Sequence, residues 1–553
     1  MTSSFACLSP STGEQVAEYP VATEAEVRTA VAGAREAAAG WRRAGPGGRR
    51  AALLAFKRAL ARETDALAGA IAAETGKPVH DARTEVILTL HHLDWAARNA
   101  HRVLRRRRVP SGALAVHERA VVGHRPLGVI GVIGPWNYPL YTPMGSIGYA
   151  LAAGNGVVVK PSELAPGVAV RLSRVFDAAV PAHAGLLRTV TGLARTGESL
   201  ARAGVDKVAF TGSPDTARRV AAVCAETLTP VLVEGGGKDA AIVGPGLGRA
   251  ALERAAEAIV WGAMANAGQT CAGVERVYAV KDVHERLVQF LIRRARRLEP
   301  GASGRGKGAD YGAMTLPSQL GTVEYHVKEA VTAGARALLG GPGSAQPPYV
   351  RPVVLVDVPE DSPAMREETF GPVVAVNAVA DLDEAVQRAN DSPYALGAAV
   401  FTRTRREGLA VAAGLRAGAV SVGSVLGYAA VPALPFGGSG LSGYGRIHGA
   451  EGLRAFAAPA SVTVRRFHPY ADLTSFATPR ARAARAVELA RRLHALLIRR
   501  TPTTASAYGR FAAPQTSDLI RTRPIPSPTC WLHSRKHLRC IPVWGAVRWA
   551  DAP

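Results

Sequence analysis

The strongest constraint on the fold of this sequence is a regular alternation of short β-branched runs with helical stretches, which extends from about residue 120 to 465. The runs have the length of strands, and the segments between them space their apolar residues as helices do. Neighbouring strands run parallel only when a crossover such as a helix joins them, so this order predicts parallel sheets with helices on both faces. We therefore expect an α/β fold.

The strand-like runs fall into two groups, which predict two α/β domains. The first group comprises residues 157–160, 188–191, 208–210, 231–234 and 240–243. The second group follows Cys271 and comprises residues 274–280, 353–357, 373–377, 398–402 and 419–422. Residues 24–75 space Ala, Leu and Val at helical intervals and predict two or three amphipathic helices packed on the first sheet. The four arginines at 105–108, followed by a Pro-Ser-Gly segment, end a helix and predict a hairpin.

Composition and charge narrow the classes of function. A chain of 553 residues, 48% of them hydrophobic, can bury a large core. Its formal charge of +23 would suit nucleic acid, but fourteen basic and only four acidic residues follow residue 470, so the body is moderately basic and we expect no nucleic-acid partner. Five unevenly spaced cysteines, no secretory signal and no long apolar run predict a cytoplasmic protein without disulfides or membrane spans, and no metal site is predicted.

The C-terminal region has a different character from the body. Residues 467–500 are basic, and within them residues 479–500 predict an amphipathic helix. Its apolar face would carry Ala483, Ala486, Val487, Ala490, Leu493 and Leu497. Two interpretations stay open, namely contact with an anionic membrane surface, or packing and solvation. Residues 501–553 are rich in Pro, Ser, Thr and Arg without periodicity, which predicts disorder.

Cys271 is the first candidate for chemistry. It follows Asn266, Ala267, Gly268, Gln269 and Thr270 and precedes a predicted strand, so its small neighbours leave it approachable. A nucleophilic cysteine acts as a thiolate and needs an electropositive setting, such as backbone N–H groups or a bound cation. The alternative is a buried cysteine that serves as a small apolar residue.

Glu234 is the second candidate, because it ends an apolar strand and precedes three glycines and Lys238. Glycines allow the backbone to approach closely. In a partly desolvated cleft, the pKa of this carboxyl group would rise toward neutrality, which suits a base that takes a proton from water. The alternative is a structural salt bridge at the end of the strand.

Asn137 is the third candidate, in the loop Gly134-Pro135-Trp136-Asn137-Tyr138-Pro139 after an apolar strand. The two prolines restrict this loop, so the Asn137 side chain offers a fixed amide donor. Such a donor suits an oxyanion site, where negative charge develops on an oxygen atom during a reaction.

Two glycine-containing segments are candidate phosphate sites. In Phe210-Thr211-Gly212-Ser213-Pro214, a strand is followed by Ser213 as helix N-cap and Pro214 as first helical residue, and helix N-termini attract phosphates. The segment 438–443 matches Gly-x-Gly-x-x-Gly, but no strand, helix or later acidic residue supports a dinucleotide site there. We interpret it as a glycine-rich loop.

Seven motifs, in order along the chain, resemble the aldehyde dehydrogenase superfamily. They are Pro135-Trp136-Asn137, Lys160-Pro161-Ser162-Glu163, Phe210-Thr211-Gly212-Ser213, Glu234 with its glycines and Lys238, Gly268-Gln269-Thr270-Cys271, Glu368-Thr369-Phe370-Gly371-Pro372 and Pro435-Phe436-Gly437-Gly438. The resemblance covers roughly residues 8–466. It implies two Rossmann-like parallel-sheet domains and a small β-hairpin oligomerisation element, in a homodimer or homotetramer.

Applied to this chain, the resemblance implies an NAD(P)-binding domain at residues 1–107 and 127–236 and a catalytic domain at 237–441. The oligomerisation element would be residues 108–126 and 442–466. The resemblance further implies that Cys271 is the nucleophile, Glu234 the general base and Asn137 an oxyanion donor together with the Cys271 backbone N–H. The cofactor-binding residues would be Pro135, Trp136, Lys160, Glu163, Gly192, Phe210, Gly212, Ser213, Glu368 and Phe370.

The implied activity is oxidation of an aldehyde to the carboxylic acid through a cysteine hemithioacetal and thioester. NAD is the expected cofactor and NADP the alternative, because the Glu163 carboxylate would accept from a ribose 2′-hydroxyl but repel a 2′-phosphate. The segments 142–153 and 443–452 resemble relatives that act on apolar polyene or aromatic aldehydes. Succinic semialdehyde dehydrogenases are similar too. The resemblance also leaves open a catalytically silent relative and a coenzyme A-acylating enzyme.

The sequence departs from the family pattern at several glycines and small residues. Gly235 stands where a larger apolar residue is usual, and we expect it to loosen the placement of Glu234. Ala217, Gly423 and Gly440 replace a frequent glycine, asparagine and lysine, respectively. These departures affect the expected specificity and not the reaction type.

Overall fold

The N-terminal part forms a hairpin and a group of helices in the computed structural model, which describes residues 3–302 and 308–500. These elements are β1 (Ser4–Leu8), β2 (Gln15–Pro20), α1 (Glu24–Arg43), α2 (Gly45–Arg62), α3 (Thr64–Thr75) and α4 (Val79–Leu104). A capping box starts α1, because Thr23 and Glu26 each accept the other's backbone N–H. Residues 24–75 therefore form three helices, at the upper end of the prediction.

The hairpin predicted after the arginine run is present. α4 ends at Leu104, and β3 (Arg107–Val109) pairs antiparallel with β4 (Glu118–Pro126). The arginines at 107 and 108 are exposed on β3, as expected for solvated charges.

The first parallel sheet carries helices on both faces. Its elements are β5 (Val129–Ile133), α5 (Tyr141–Ala153), β6 (Gly156–Lys160), α6 (Pro166–Ala179), β7 (Leu187–Thr189), α7 (Ala194–Arg202), β8 (Lys207–Thr211), α8 (Pro214–Glu226) and β9 (Val231–Glu234). The strand order is β9-β8-β5-β6-β7, with all pairs parallel. α1, α7 and α8 cover one face, and α4, α5 and α6 cover the other. The order reverses at β5, and ligands of such sheets bind at the carboxyl ends of the strands at that point.

The second sheet begins before Cys271. Its region contains β10 (Asp239–Val243), α9 (Arg249–Met264), β11 (Val274–Val280), α10 (Lys281–Ala295), α11 (Gln319–Thr332), β12 (Arg336–Leu339), β13 (Ala345–Gln346), β14 (Tyr349–Val350), β15 (Val353–Val356), α12 (Pro363–Arg366), β16 (Val373–Val379), α13 (Leu382–Asn390), β17 (Tyr394–Ala395), β18 (Gly397–Phe401), α14 (Arg405–Gly414) and β19 (Ala419–Val422). The order is β12-β15-β16-β11-β10-β18-β19, parallel except at β12.

One grouping of strands made from the sequence was wrong. Residues 240–243, grouped with the first sheet, form β10 and pair with β11 and β18 in the second. An apolar run predicts a buried strand but does not show which sheet receives it. The three glycines at 235–237 carry the chain from one sheet to the other.

The glycine-rich segment near residue 440 is a loop with very short strands, as predicted. The remaining elements are β20 (Ser439–Gly440), β21 (Gly443–Tyr444), α15 (Gly449–Ala455), β22 (Ala457–Arg465) and α16 (Arg480–Arg500). β22 pairs along its whole length with β4 and completes a three-stranded sheet with β3. β21 instead pairs with β9 at the edge of the first sheet, although it lies within the segment assigned to oligomerisation.

The chain divides after His468 into a body and a C-terminal unit that begins at Pro469. In the C-terminal unit the predicted basic helix is α16, on which Val487, Leu489 and Leu493 are exposed. Residues 501–553, predicted to be disordered, lie outside the described residues. Within residues 3–302 and 308–500, no helix has the length and apolar character needed to cross a bilayer.

Candidate active site

A cavity of about 1360 Å³ opens at the carboxyl edge of the first sheet, where the strand order reverses. Its walls include most of the residues selected from the sequence. They are Pro135, Trp136, Asn137, Lys160, Glu163, Phe210, Gly212, Ser213, Cys271, Glu368 and Phe370. Glu234 and Gly192 are not part of the walls. Gly192 has a φ of 150°, and a Cβ atom there would lie 2.1 Å from Thr196 Oγ1, so the close approach of that side chain requires glycine.

Cys271 is half-buried in the wall of this cavity. The turn before it contains two non-glycine residues with left-handed backbones, Asn266 (φ 55°) and Ala267 (φ 56°). Such conformations are costly and occur preferentially at functional sites. Burial raises the pKa of the thiol above its usual range, and the charges of Glu234 and Glu368 raise it further. The thiolate therefore needs a nearby positive charge to form at neutral pH.

Glu234 is the last residue of β9 and is 4% exposed. Burial raises the pKa of its carboxyl group to about 8, while a hydrogen bond donated by Thr211 Oγ1 to Oε2 (3.2 Å) opposes the rise. Its Oε1 atom has no hydrogen-bond partner among the described residues. Its neighbour Gly235 lines the same cavity as Cys271, and the charge of Glu234 contributes to the raised pKa of the Cys271 thiol.

Asn137 is 6% exposed, and its side-chain amide donates from Nδ2 to the carbonyl of Gln269 at 3.0 Å. An amide nitrogen carries two hydrogens, and this is its one hydrogen bond within the described residues. The second N–H is available to a ligand in the cavity. The carbonyl of Asn137 accepts from Lys77 Nζ at 2.8 Å and from Asn266 Nδ2 at 3.1 Å, so the loop is held on both sides.

The cavity also has the groups that a dinucleotide requires. Lys160 Nζ lies 3.2 Å from Glu163 Oε2, and burial lowers the pKa of the lysine. Ser213 caps α8, whose first turn faces the cavity and can attract a phosphate. The rings of Trp136 and Phe370 meet edge to face, with centroids 5.5 Å apart. These residues fit a nicotinamide dinucleotide.

Glu275, which the sequence did not single out, fixes the turn that carries Glu368 and Phe370. It forms a buried ion pair with Lys238 and accepts the backbone N–H groups of Thr369 (2.8 Å) and Phe370 (2.9 Å). Glu368 in turn accepts from the backbone N–H of Gly237 at 2.9 Å. Lys238 belongs to one of the motifs found in the sequence, but Glu275, its ion-pair partner, lies 37 residues further along the chain. No spacing in the sequence indicates that these two residues pair.

The aldehyde dehydrogenase family model matches residues 1–462 of this chain. The chain belongs to the aldehyde dehydrogenase family. Among curated proteins, it is 36% identical over 463 residues to a 4,4′-diapolycopene aldehyde oxidase of Methylomonas, and the aligned region covers 83% of this chain and 85% of that protein. It is 35% identical over 460 residues to a protein of Mycolicibacterium smegmatis that is provisionally assigned as an NADP⁺-dependent succinate-semialdehyde dehydrogenase. The aligned region covers 82% of this chain and 87% of that protein.

Solved structures give the same result. An NAD-dependent aldehyde dehydrogenase from Sinorhizobium meliloti is 31% identical with a TM-score of 0.80 and covers 86% of this chain and 93% of that one. Lactaldehyde dehydrogenase from Escherichia coli is 28% identical with a TM-score of 0.79, and the superposed region covers 84% of this chain and 96% of that one. The α/β fold and the assignment as an NAD(P)-dependent aldehyde dehydrogenase are therefore confirmed, and the alternative of a silent relative is not supported.

Proposed function

We propose that this aldehyde dehydrogenase oxidises an apolar or aromatic aldehyde, with Cys271 as nucleophile, Asn137 as oxyanion donor and Glu234 as base. The observation that supports the proposal is that Cys271 and Asn137 line the same cavity as Gly235, the neighbour of Glu234 in the chain.

In the first step the Cys271 thiolate attacks the aldehyde carbon and forms a tetrahedral hemithioacetal. The oxygen becomes negative, and the free N–H of Asn137 together with the Cys271 backbone N–H stabilises it. Each such donor contributes about 3 kcal/mol in the transition state. The aldehyde hydrogen then leaves as hydride, and the product is a thioester on Cys271.

NAD(P)⁺, when bound, supplies the hydride acceptor and a positive charge close to the thiol. Lys160 and Glu163 would hold the adenosine ribose. The N-terminus of α8 at Ser213 would hold a phosphate, and the turn that carries Glu368 and Phe370 would hold the nicotinamide end. Glu163 favours NAD over NADP because its carboxylate repels a 2′-phosphate. The remaining predicted cofactor residues, Pro135, Trp136, Gly192, Phe210 and Gly212, would shape the walls of the groove.

In the last step Glu234 takes a proton from water, the resulting hydroxide attacks the thioester, and the acid is released with return of the thiol. The unpaired Oε1 of Glu234 and the raised pKa of its carboxyl group suit this role. Relatives that pass the acyl group to coenzyme A generally lack this base, so its presence favours hydrolysis.

The surroundings of Cys271 favour an apolar substrate. The segments 140–153 and 423–436 contain no charged residue. Cys271 and Phe436 both pack against a buried apolar cluster that contains Tyr428, and the rings of Tyr428 and Phe436 stack with centroids 5.9 Å apart. Succinic semialdehyde is the second candidate because of the likeness to the Mycolicibacterium protein.

Two kinds of partner belong to the proposal. A homodimer or homotetramer would form through β3, β4 and β22, where Val462 and Val464 are exposed. α16 would contact an anionic membrane surface, where apolar aldehydes dissolve. We place the enzyme in the cytoplasm, because Cys7, Cys224 and Cys271 are free thiols.

The proposal is tested by steady-state assays with NAD and NADP across aliphatic, aromatic and semialdehyde substrates, with Cys271→Ala as blank. We expect kcat/KM to be highest for long apolar or aromatic aldehydes with NAD. A maximum for succinic semialdehyde would establish the second candidate instead. Absence of turnover on every aldehyde would refute the proposal.

A further inference from the structure

The loop that carries Asn137 rests on a buried ion pair whose two members come from outside the motifs of the active site. Lys77 follows α3, and Glu85 lies in α4. Their Nζ and Oε2 atoms are 2.7 Å apart, and each side chain is 1% exposed. Such a pair is retained at a high desolvation cost, so its remaining donors and acceptors must be satisfied.

Both members direct their other hydrogen bonds at the loop of Asn137. Lys77 Nζ donates to the carbonyl of Asn137 at 2.8 Å and lies 4.1 Å from the centre of the Tyr138 ring. Glu85 Oε1 accepts the backbone N–H groups of Leu140 (2.9 Å) and Tyr141 (3.0 Å). The pair therefore holds the loop at Asn137 and at its junction with α5.

On its other side the same loop is joined to the turn before Cys271. Asn137 Nδ2 donates to the Gln269 carbonyl at 3.0 Å, and Asn266 Nδ2 donates to the Asn137 carbonyl at 3.1 Å. Tyr138 and Thr270 join their hydroxyl groups at 2.9 Å. The position of the Asn137 amide relative to Cys271 thus depends on Lys77 and Glu85 from one side and on the turn from the other.

We infer that Lys77 and Glu85 are positioning residues that align the Asn137 amide with the oxygen of the tetrahedral intermediate at Cys271. This inference rests on the proposed role of Asn137. An oxyanion donor works only when it is fixed before the reaction, and a displacement of about 1 Å can cost roughly a hundredfold in rate. The ion pair supplies this fixation without touching the substrate.

The test is a mutant cycle that joins the ion pair to Asn137. The variant Lys77→Met/Glu85→Gln removes both charges and leaves no unpaired one. It is compared with Asn137→Ala and with the triple variant, and Lys57→Met/Asp94→Asn serves as control, since that pair (2.6 Å) joins α2 and α4 outside the cavity. The readouts are the rate of the NADH burst in a single turnover, the Kd for NAD and the melting temperature.

We expect the pair variant to slow the burst about tenfold with an unchanged Kd for NAD, and Asn137→Ala to slow it about a hundredfold. In the Asn137→Ala background, removal of the pair should cost less than twofold, because the donor it aligns is already gone. If the pair variant does not fold, Lys77→Gln/Glu85→Gln is used in the same cycle, since it buries no charge and the amide carbonyl at position 85 can still accept from Leu140 and Tyr141 while its NH2 group donates to the amide at position 77. It should slow the burst two- to fourfold with native Asn137 and not at all without it.

Two outcomes would overturn the inference while leaving the proposed function in place. The first is a burst in the triple variant that is tenfold slower than in Asn137→Ala. The second is a burst in the Lys57→Met/Asp94→Asn control that is slowed as much as in the pair variant. Either result would show a general effect on stability. A wild-type burst in Asn137→Ala would instead refute the oxyanion role of Asn137 and with it the inference.

Discussion

At the scale of single residues, the proposed role of Glu234 as the base leads to a first prediction. The variant Glu234→Gln keeps the shape of the side chain but cannot take a proton from water. We expect it to retain a burst of NADH equal to one per active site, followed by steady turnover at least a hundredfold slower than in the wild type. Stopped-flow absorbance at 340 nm measures both phases. Steady turnover at the wild-type rate would exclude Glu234 as the base.

The raised pKa of Glu234 makes a second prediction at this scale. Burial raises the pKa of the carboxyl group to about 8, and only the ionised form accepts a proton. The rate of thioester hydrolysis should therefore fall tenfold per pH unit below about pH 8 and level off above it. The measurement is kcat between pH 6 and 10 for a substrate whose hydrolysis limits turnover, with Glu234→Gln as control. A profile in the wild type that is flat through pH 8 would contradict the prediction.

The residues found from the sequence differ in kind from those that were missed. Cys271, Glu234 and Asn137 sit in local patterns of strand ends, glycines and prolines, so their chemistry could be inferred from neighbours in the chain. Glu85 and Glu275 act through contacts with distant segments, and an acidic residue inside a helix or strand pattern resembles a solvated one. Long-range pairing of charges is settled only by the fold.

At the scale of elements, the strands were predicted well because nearly continuous apolar runs are typical of parallel sheets buried on both faces. β9, β11 and β19 have the predicted bounds, and the other seven runs listed from the sequence differ from their strands by one or two residues at an end. The grouping by strand pattern put β10 in the wrong sheet because membership of a sheet depends on the path of the chain, whereas the family resemblance assigns residues 237–441 to the catalytic domain. The pairing of β21 with β9 was missed for the same reason, since two residues beside glycines carry no strand signal.

Gly235 illustrates how one element fixes another. It was expected to loosen Glu234, yet its N–H donates to the Ser442 carbonyl at 3.1 Å, and a Cβ atom there would lie 2.3 Å from the Leu441 carbonyl oxygen. We expect Gly235→Ala to lower the free energy of unfolding by about 1–3 kcal/mol and to reduce kcat, because overpacking displaces the strand end that holds Glu234.

The control for this variant is Gly69→Ala in α3, where a Cβ atom would meet nothing within 4 Å. Here the free energy of unfolding should rise by about 0.5–1 kcal/mol, since alanine favours a helix, and kcat should not change. Urea denaturation and steady-state kinetics compare the two variants. Equal stabilisation by both would show that Gly235 is not required for the close approach of residues 441–442.

At the scale of the whole molecule, the site exists only because the body assembles distant segments. The loop after β5 brings Asn137, the end of β9 brings Glu234, and the turn before β11 brings Cys271. Glycines at 235–237 let these parts approach, since a Cβ atom at 236 or 237 would lie within 2.3 Å of Glu368 or the Cys271 carbonyl. The cavity is lined by residues of the body, and the function of the C-terminal unit has to be tested separately.

The last prediction concerns α16 and a lipid surface. Its arginines should bind anionic vesicles while the exposed Val487 and Leu493 enter the headgroup region. Each arginine near such a surface contributes about 1 kcal/mol, so Arg485→Glu/Arg492→Glu, which changes the charge by four, should weaken binding roughly a thousandfold. Flotation of the full chain with phosphatidylserine vesicles measures binding, and 0.5 M salt should suppress it.

The control Arg405→Glu/Arg406→Glu makes the same change in charge on α14 and should float like the wild type. An equal loss of vesicle binding in both variants would show that only the net charge of the protein matters. If the wild type does not float with the vesicles, membrane contact is removed from the proposal.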